Sequence, residues 1–168
     1  MKSKKEGVEI NRKIRKILAE FRSKPLLIIC AIEGDAVGGG CELALACDFI
    51  FTSSAARFAI KQVGQSLTPG WGGTRNLLSR VPKSKALDWL TSGRWISAQE
   101  GLEAGLVDQI TTPGHVLSFA QAFIKERPQE LIGVIKNLVV TNGKDEEKVF
   151  EKLWWSPAHH LAKGRKLT

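Results

Sequence analysis

The order of apolar and polar residues predicts alternating helices and strands along the first half of the chain. Residues 9–22 carry an apolar stripe at helical spacing, with lysines and arginines on the opposite face. Residues 26–32 are apolar without interruption, which is typical of a strand buried on both faces. A glycine-rich turn over 34–40, a short apolar helix over 41–47 and a strand over 48–53 are expected next.

The rest of the chain, from residue 57 onwards, is predicted to begin with a strand and to end in helices. Thr74 is a candidate N-cap for a short helix that follows a glycine-rich loop over 68–73. Ser97 and Glu100 match a capping box, and Gly105 is a suitable residue to end the helix after it. The other expected elements are strands over 57–60 and 106–110 and helices over 83–91, 114–127, 129–140 and 145–155. This order predicts an α/β fold with a helical C-terminal part.

Length and composition exclude several classes of protein. The chain has 168 residues, of which 43% are hydrophobic and 25% charged, so a folded globular chain is expected rather than a disordered one. No apolar run approaches the roughly 20 residues of a membrane helix, and residues 1–25 lack the apolar segment of a signal peptide. Cys30, Cys41 and Cys47 show neither metal-ligand spacing nor the spacing of a disulfide framework. We expect no metal and a reducing, cytoplasmic compartment, with the mitochondrion as the alternative.

Positive charge is concentrated at the two ends of the chain. Lysine and arginine number 25 against 17 acidic residues, a net charge of +8, and the excess lies in residues 1–25 and 151–168. Basic ends suit an anionic partner such as nucleic acid, acidic lipid or a phosphorylated small molecule. Solvated helix faces give the same pattern, so charge alone leaves these interpretations open.

The strongest candidate for chemistry is the glycine run Gly38-Gly39-Gly40, between a predicted strand and a predicted helix. Glycine lets a ligand approach the backbone closely, and the first N–H groups of a helix have no acceptor within it. A phosphate could bind there, or an oxyanion that forms during a reaction. The spacing matches neither a P-loop nor a clean dinucleotide fingerprint. Close packing of the helix on the strand is the third interpretation.

Glu42 is the charged residue of the apolar helix that follows the glycine run. A carboxylate in such surroundings must be paired or functional, because burial of an unpaired charge is costly. A general acid or base is one candidate role. A hydrogen-bonded position at the start of the helix is the other.

Residues 24–112 resemble the core of the enoyl-CoA hydratase/isomerase (crotonase) superfamily. The resemblance rests on the segments KPLLIICAIEGDAVGGGCELALACDFIFTSSAARFAIKQVGQSLTPGWGGTRNLLSRV and TSGRWISAQEGLEAGLVDQI. It implies a partial crotonase-like ββα spiral core over residues 1–112 and a helical region over 113–168 for oligomerisation and for covering CoA. It also implies an acyl-CoA substrate that reacts through a stabilised enolate. Coenzyme A would enter as part of the substrate, with no separate cofactor.

The resemblance assigns roles to individual residues. Gly39 would donate one of two N–H groups to the thioester oxygen, and Glu42 would occupy the position of the first catalytic glutamate. Gln62 stands where the family has its second catalytic glutamate, and an amide cannot exchange a proton near neutral pH. Ordinary hydration by two glutamates is therefore in doubt. The residues expected to contact the substrate are Ala36, Val37, Gly38, Pro69 and Gly70.

The N-terminal third of the family has no counterpart in this sequence. In the family that part supplies several strands and the second N–H group. We therefore expect a truncated product or fragment, or a partner polypeptide that supplies the missing strands. The resemblance otherwise implies a homo-oligomer, a trimer or hexamer, in which Lys163, Arg165 and Lys166 are candidates for contacts with CoA.

Three other interpretations stay open. Trp71, Trp154 and Trp155 resemble the ethylmalonyl-CoA decarboxylase-like branch, whose lyase chemistry would tolerate Gln62, although simple core or interface packing is the favoured explanation of these tryptophans. The loss of one glutamate and of the N-terminal strands alternatively predicts a catalytically inactive remnant or subunit. RNA binding by the basic helix over 2–24 is a distant third hypothesis, and a membrane partner is not expected.

Overall fold

The computed structural model describes residues 3–163, with side chains for residues 3–160, and divides after Arg127 into two units. The helices of the first unit are α1 (Lys4–Arg22), α2 (Gly39–Ala44), α3 (Gly73–Leu78), α4 (Lys83–Ser92), α5 (Ala98–Ala104) and α6 (Val116–Lys125), with a 3-10 helix at Lys61–Gln65. Its strands are β1 (Ile29–Ile32), β2 (Ala36–Val37), β3 (Phe49–Ser53), β4 (Arg57–Ala59), β5 (Ile96–Ser97) and β6 (Gln109–Thr111). The second unit contains α7 (Gln129–Val140), α8 (Glu146–Leu153) and α9 (Pro157–Lys163).

Two small sheets organise the first unit. Strands β1, β3 and β6 form a parallel sheet in that order, in which Cys30 pairs with Ile50. Strands β2, β4 and β5 form the other sheet, with β2 parallel and β5 antiparallel to β4. The chain places β1 in the first sheet and β2 in the second, and then forms α2. It repeats this order with β3 and β4 before the 3-10 helix. The predicted α/β class, with helices at the C-terminal end, is confirmed.

The main core is an apolar cluster contributed by both sheets and their helices. Its large side chains that are at most 1% exposed are Ile50, Phe58, Leu77, Trp89 and Ile96. Burial of one apolar side chain the size of Ile or Leu stabilises the folded state by about 1.5–3 kcal/mol. This core fixes β4 and α3, and the 3-10 helix and the second glycine-rich loop lie between these two elements in the chain.

Aromatic rings attach α6 to the parallel sheet. Phe51 on β3 meets Phe119 and Phe123 of α6 edge to face, at centroid distances of 5.3 and 4.9 Å. Such pairs add about 0.5–1.5 kcal/mol beyond the burial of their area. This packing keeps α6 in the first unit, so the observed division lies after Arg127, whereas the sequence places the division after residue 112.

Several elements differ from the prediction because contacts distant in sequence decide them. Ala36 and Val37, expected within a turn, form β2 by pairing with β4. Helix α3 begins at Gly73 with Gly72 as its N-cap, so the predicted cap at Thr74 is wrong. The strand expected over 106–110 lies later, as β6. Strand β5, the 3-10 helix and α9 were not predicted.

The ends of α5 follow the prediction in most respects. Ser97 Oγ accepts a hydrogen bond from the Glu100 N–H at 3.1 Å, as a capping box requires. The Glu100 carboxylate does not return the bond, because it binds the Arg94 guanidinium, with one contact of 2.8 Å, and accepts from Trp89 Nε1. Gly105 ends the helix in the left-handed conformation, with a φ of 88°. One of the two hydrogen bonds of the predicted capping box is therefore present. The predicted end of the helix at Gly105 is confirmed.

The second unit presents aromatic side chains on its described surface. Trp154 stacks on His159 and Trp155 on His160, at centroid distances of 4.9 and 5.2 Å. The two tryptophans are 43% and 66% exposed, so they do not belong to a core. The predicted CoA contacts Arg165 and Lys166, and the side chain of Lys163, lie outside the described residues. Each helix within residues 3–163 is too short or too polar to cross a bilayer.

Candidate active site

The turn from β2 into α2 presents an N–H group without an internal partner. The Gly38 N–H donates to the Ala59 carbonyl at 2.8 Å, and the Gly38 carbonyl accepts from the Glu42 N–H at 3.2 Å. Within residues 3–163, the Gly39 N–H donates no hydrogen bond. A fixed donor of this kind can bind an oxygen atom that carries or develops negative charge.

The Glu42 carboxylate is buried and accepts four hydrogen bonds. The residue is 3% exposed. Oε1 accepts from Gln62 Nε2 at 3.0 Å and from the Gly70 N–H at 3.2 Å. Oε2 accepts from the N–H groups of Trp71 and Gly73 at 2.7 and 2.9 Å. Hydrogen bonds to an ionised group are the strong ones, and here they replace the water that burial removes. The carboxylate therefore joins α2 to the second glycine-rich loop.

Gln62 has one satisfied and one unsatisfied polar atom. Its Nε2 donates to Glu42, and a reversed amide would place its oxygen against the carboxylate, so the hydrogen bond fixes the orientation. Its Oε1 is buried and has no donor among the described residues. Buried polar atoms in native proteins almost always have a partner. The position of Oε1 therefore suits a water molecule or a ligand hydroxyl.

Trp71 packs directly on Gly39. A Cβ atom at position 39 would lie 2.6 Å from both Cη2 and Cζ3 of the Trp71 indole, which is closer than carbon atoms approach in proteins. The same argument applies at Gly73, where a Cβ would lie 2.7 Å from Glu42 Cγ. Close approach therefore requires glycine at both positions. At Gly39 the neighbour is the Trp71 indole of the second glycine-rich loop, whereas the third interpretation from the sequence expected packing of the helix on the strand.

Helix α1 lies against the second glycine-rich loop. Asn11 Nδ2 donates to the Gly70 carbonyl at 3.2 Å, and the Arg22 guanidinium hydrogen-bonds to Asn76 Oδ1 at the other end of the helix. The basic helix is thereby fixed to the loop whose amides bind Glu42. A shift of α1 would therefore move the loop and change the hydrogen bonds that the loop donates to the Glu42 carboxylate.

The structure brings together most of the residues proposed from the sequence. Gln62 and Gly70 donate to the Glu42 carboxylate, Gly38 lies next to the Gln62 amide, and Gly39 lies under Trp71, whose N–H also donates to Glu42. Ala36 is buried, and its carbonyl accepts from Cys41 Sγ at 3.0 Å, while Val37 is 43% exposed on β2. Pro69 is half-buried in the loop beside Gly70. Ala36 and Val37 thus lie on the approach to the turn rather than at the carboxylate.

Sequence reasoning missed the roles of Trp71 and Gly73 at this site. It identified the loop over 68–73 from its glycines, but it interpreted Trp71 as a mark of one branch of a family or as packing. The available signal was an aromatic residue between glycines, which indicates backbone that other groups approach closely. The partner of Trp71 is Gly39, in a different element of the fold, so no local pattern could show that the two meet.

Comparison with known proteins agrees with this geometry. The family model described as Enoyl-CoA hydratase/isomerase matches residues 2–148, which is most of the chain. The crystal structure of an enoyl-CoA hydratase from Bacillus anthracis superposes with a TM-score of 0.85 at 25% identity, over 92% of this chain and 64% of that one. The predicted crotonase-like fold is thereby confirmed.

Two curated relatives extend the comparison in sequence. A probable enoyl-CoA hydratase of Rhizobium meliloti is 41% identical over 97 residues, which are 58% of this chain and 37% of that protein. The ethylmalonyl-CoA decarboxylase of Danio rerio is 33% identical over 171 residues, covering 92% of this chain and 56% of that protein. The chain thus spans about half or less of the length of these relatives. Both resemblances inferred from the sequence are confirmed, and the chain belongs to the enoyl-CoA hydratase/isomerase family.

Proposed function

We propose that the chain binds an acyl-CoA thioester with its carbonyl oxygen at the Gly39 N–H and stabilises the enolate that forms there. The observation that carries this proposal is the Gly39 N–H, which has no acceptor within residues 3–163 and lies beside the Glu42 network. Membership of the family supports the same substrate class. A donor of this kind contributes about 10²–10³ in rate when the oxygen becomes negative.

In this proposal Glu42 has a positioning role in addition to any proton transfer. Each carboxylate oxygen accepts two hydrogen bonds, so a proton on either oxygen would deprive a loop N–H or Gln62 of its acceptor. Proton transfer through Glu42 therefore requires the loop to loosen. Gln62 cannot transfer a proton, but its buried Oε1 can accept from a water molecule or a substrate hydroxyl and hold it in place.

Decarboxylation is a second candidate, and the engaged state of Glu42 favours it over hydration. In decarboxylation the bond between Cα and the carboxylate carbon breaks, its electron pair enters the enolate, and CO₂ leaves. No base is needed to remove a proton, and the proton that later reaches Cα can come from water. The alignment of ethylmalonyl-CoA decarboxylase with 92% of this chain supports this branch.

We also propose that a second polypeptide completes the site, as another copy of this chain or as a partner that supplies further strands. Strands β1 and β2 are at the edges of their sheets within the described residues. Helix α1 exposes Val8, Ile10 and Ile17 by 50–61%. Open strand edges and exposed apolar side chains are surfaces that bind other protein.

The substrate site is tested by Gly39→Ala against Gly34→Ala. At position 39 the added Cβ must displace the Trp71 indole, so we expect affinity for butyryl-CoA to fall about tenfold or more. At position 34 a Cβ meets nothing within 4 Å, so affinity should be unchanged. Isothermal titration measures both variants. Equal affinities for the two variants would contradict a site at Gly39.

The reaction branch is tested by the ratio of two turnovers in one preparation. We expect release of CO₂ from ethylmalonyl-CoA to exceed hydration of crotonyl-CoA by about 10² or more, because hydration lacks one of two acid–base groups. Both substrates would use the same N–H donor, so the ratio does not depend on how complete the site is. Faster hydration than decarboxylation would reject the lyase candidate.

The positioning role of Glu42 is tested by Glu42→Gln. The amide offers one acceptor oxygen where four donors now converge, so the free energy of unfolding should fall by about 1–3 kcal/mol. Glu103→Gln, on the exposed face of α5, is the matched control, with an expected change below about 0.5 kcal/mol. Urea unfolding measures both. An undiminished stability of Glu42→Gln would show that the carboxylate does not hold the loop.

Assembly is tested by light scattering on the purified chain. We expect a mass that is a multiple of 18.5 kDa and that falls on dilution, because apolar surface drives association. A chain that stays monomeric at all concentrations and does not bind full-length members of the family would overturn the proposal of a completing polypeptide.

A further inference from the structure

The Trp71 indole lies over the glycine whose N–H is the proposed donor to the thioester oxygen. A Cβ atom at position 39 would lie 2.6 Å from both Cη2 and Cζ3 of the indole. Because the nitrogen of a residue lies about 2.5 Å from its own Cβ position, these ring carbons are within about 5 Å of the Gly39 nitrogen. Trp71 is only half-buried, so part of its surface is open to a ligand.

The backbone holds the indole in this position. The Trp71 N–H donates to Glu42 Oε2 at 2.7 Å. The N–H groups of Gly70 and Gly73 donate to the same carboxylate at 3.2 and 2.9 Å. The chain is therefore fixed on both sides of Trp71, and the place of the ring over Gly39 follows from these hydrogen bonds.

The same contacts place the indole on the acyl side of a thioester whose oxygen binds at the Gly39 N–H. The carbonyl carbon of such a ligand carries the sulfur of CoA on one side and the first acyl carbon on the other. Bond breaking and proton transfer concern the acyl carbons, so the acyl side faces Glu42 and Gln62, which hydrogen-bond to each other at 3.0 Å. Trp71 is joined to Glu42 through its own N–H, and its ring therefore borders the space of the acyl group.

We propose that the Trp71 indole determines which acyl groups the site accepts: it admits short, straight aliphatic chains and excludes aryl groups. The inference rests on the proposed function, because it takes the Gly39 N–H as the donor to the thioester oxygen. Trp71 acts by occupying space beside the first acyl carbons, and it takes no part in proton transfer.

A ring that is held in place is an effective selector of ligand size. Close-packed side chains accommodate added atoms only when their neighbours shift, which is costly. One methylene group more or less in an apolar pocket already changes discrimination by about 10–200-fold. Conversely, an apolar cavity left by a removed side chain can bind an apolar ring of matching size. Removal of the indole should therefore favour ligands that carry a ring next to the thioester.

The test compares phenylacetyl-CoA with butyryl-CoA as ligands of the unaltered chain and of Trp71→Ala. Both esters carry the same coenzyme and the same thioester, and they differ only in the group that meets the indole. We expect the ratio of the association constants, phenylacetyl-CoA over butyryl-CoA, to rise about tenfold or more in Trp71→Ala, because the phenyl ring can occupy the space that the indole leaves. Isothermal titration measures all four constants. An unchanged ratio would overturn the inference.

Two further variants make the result independent of folding and of general effects of tryptophan loss. Trp71→Phe keeps an aromatic ring over Gly39, so the ratio should rise by a smaller factor, and this variant decides the question if Trp71→Ala does not fold. Trp95→Ala is the matched control. Trp95 is 39% exposed, and the Arg57 guanidinium lies 4.4 Å from the centre of its ring. The ratio should be unchanged in this control, and a rise equal to that of Trp71→Phe would contradict the assigned role.

Failure of this inference and failure of the proposed function give different results. If the unaltered chain binds neither ester, the proposed acyl-CoA site is wrong and the role of Trp71 is wrong with it. If the unaltered chain binds butyryl-CoA and the Trp71 variants leave the ratio unchanged, the proposed site stands and only the role of Trp71 is wrong.

Discussion

The Glu42 carboxylate holds two separate segments of the chain together through four hydrogen bonds. Removing a carboxylate from water costs several kcal/mol, and hydrogen bonds to a charged group each return about 1.5–3 kcal/mol. The burial of Glu42 is therefore favourable only while its donors stay in place. Helix α2, the second glycine-rich loop and Gln62 consequently form one arrangement, and loss of any of its parts affects the others.

The hydrogen bonds to the Glu42 carboxylate explain why the site contains several glycines. The loop reaches Glu42 through backbone N–H groups, which requires close approach at Gly73, and the Trp71 indole then covers Gly39. The Cα side of Gly39 is occupied, while its N–H has no acceptor among the described residues. Close packing thus requires glycine at position 39, and the N–H of the same residue remains available to a ligand.

The sequence predicted those features that depend on neighbouring residues. The Ser97 cap and the Gly105 stop are local, and both are present. The meeting of Glu42 with Gln62 followed from resemblance to a family rather than from any local pattern. Strand β2, the N-cap at Gly72 and the cover of Trp71 over Gly39 escaped prediction because each depends on residues far away in sequence.

The central claim is that the Gly39 N–H polarises the carbonyl of a bound thioester, and infrared spectroscopy tests it most directly. Butyryl-CoA labelled with ¹³C at the thioester carbonyl gives a band that can be followed in the complex. A hydrogen bond that favours the enolate weakens the carbonyl bond, so the account predicts that this band moves to lower frequency on binding. Tight binding with an unshifted carbonyl band would contradict it.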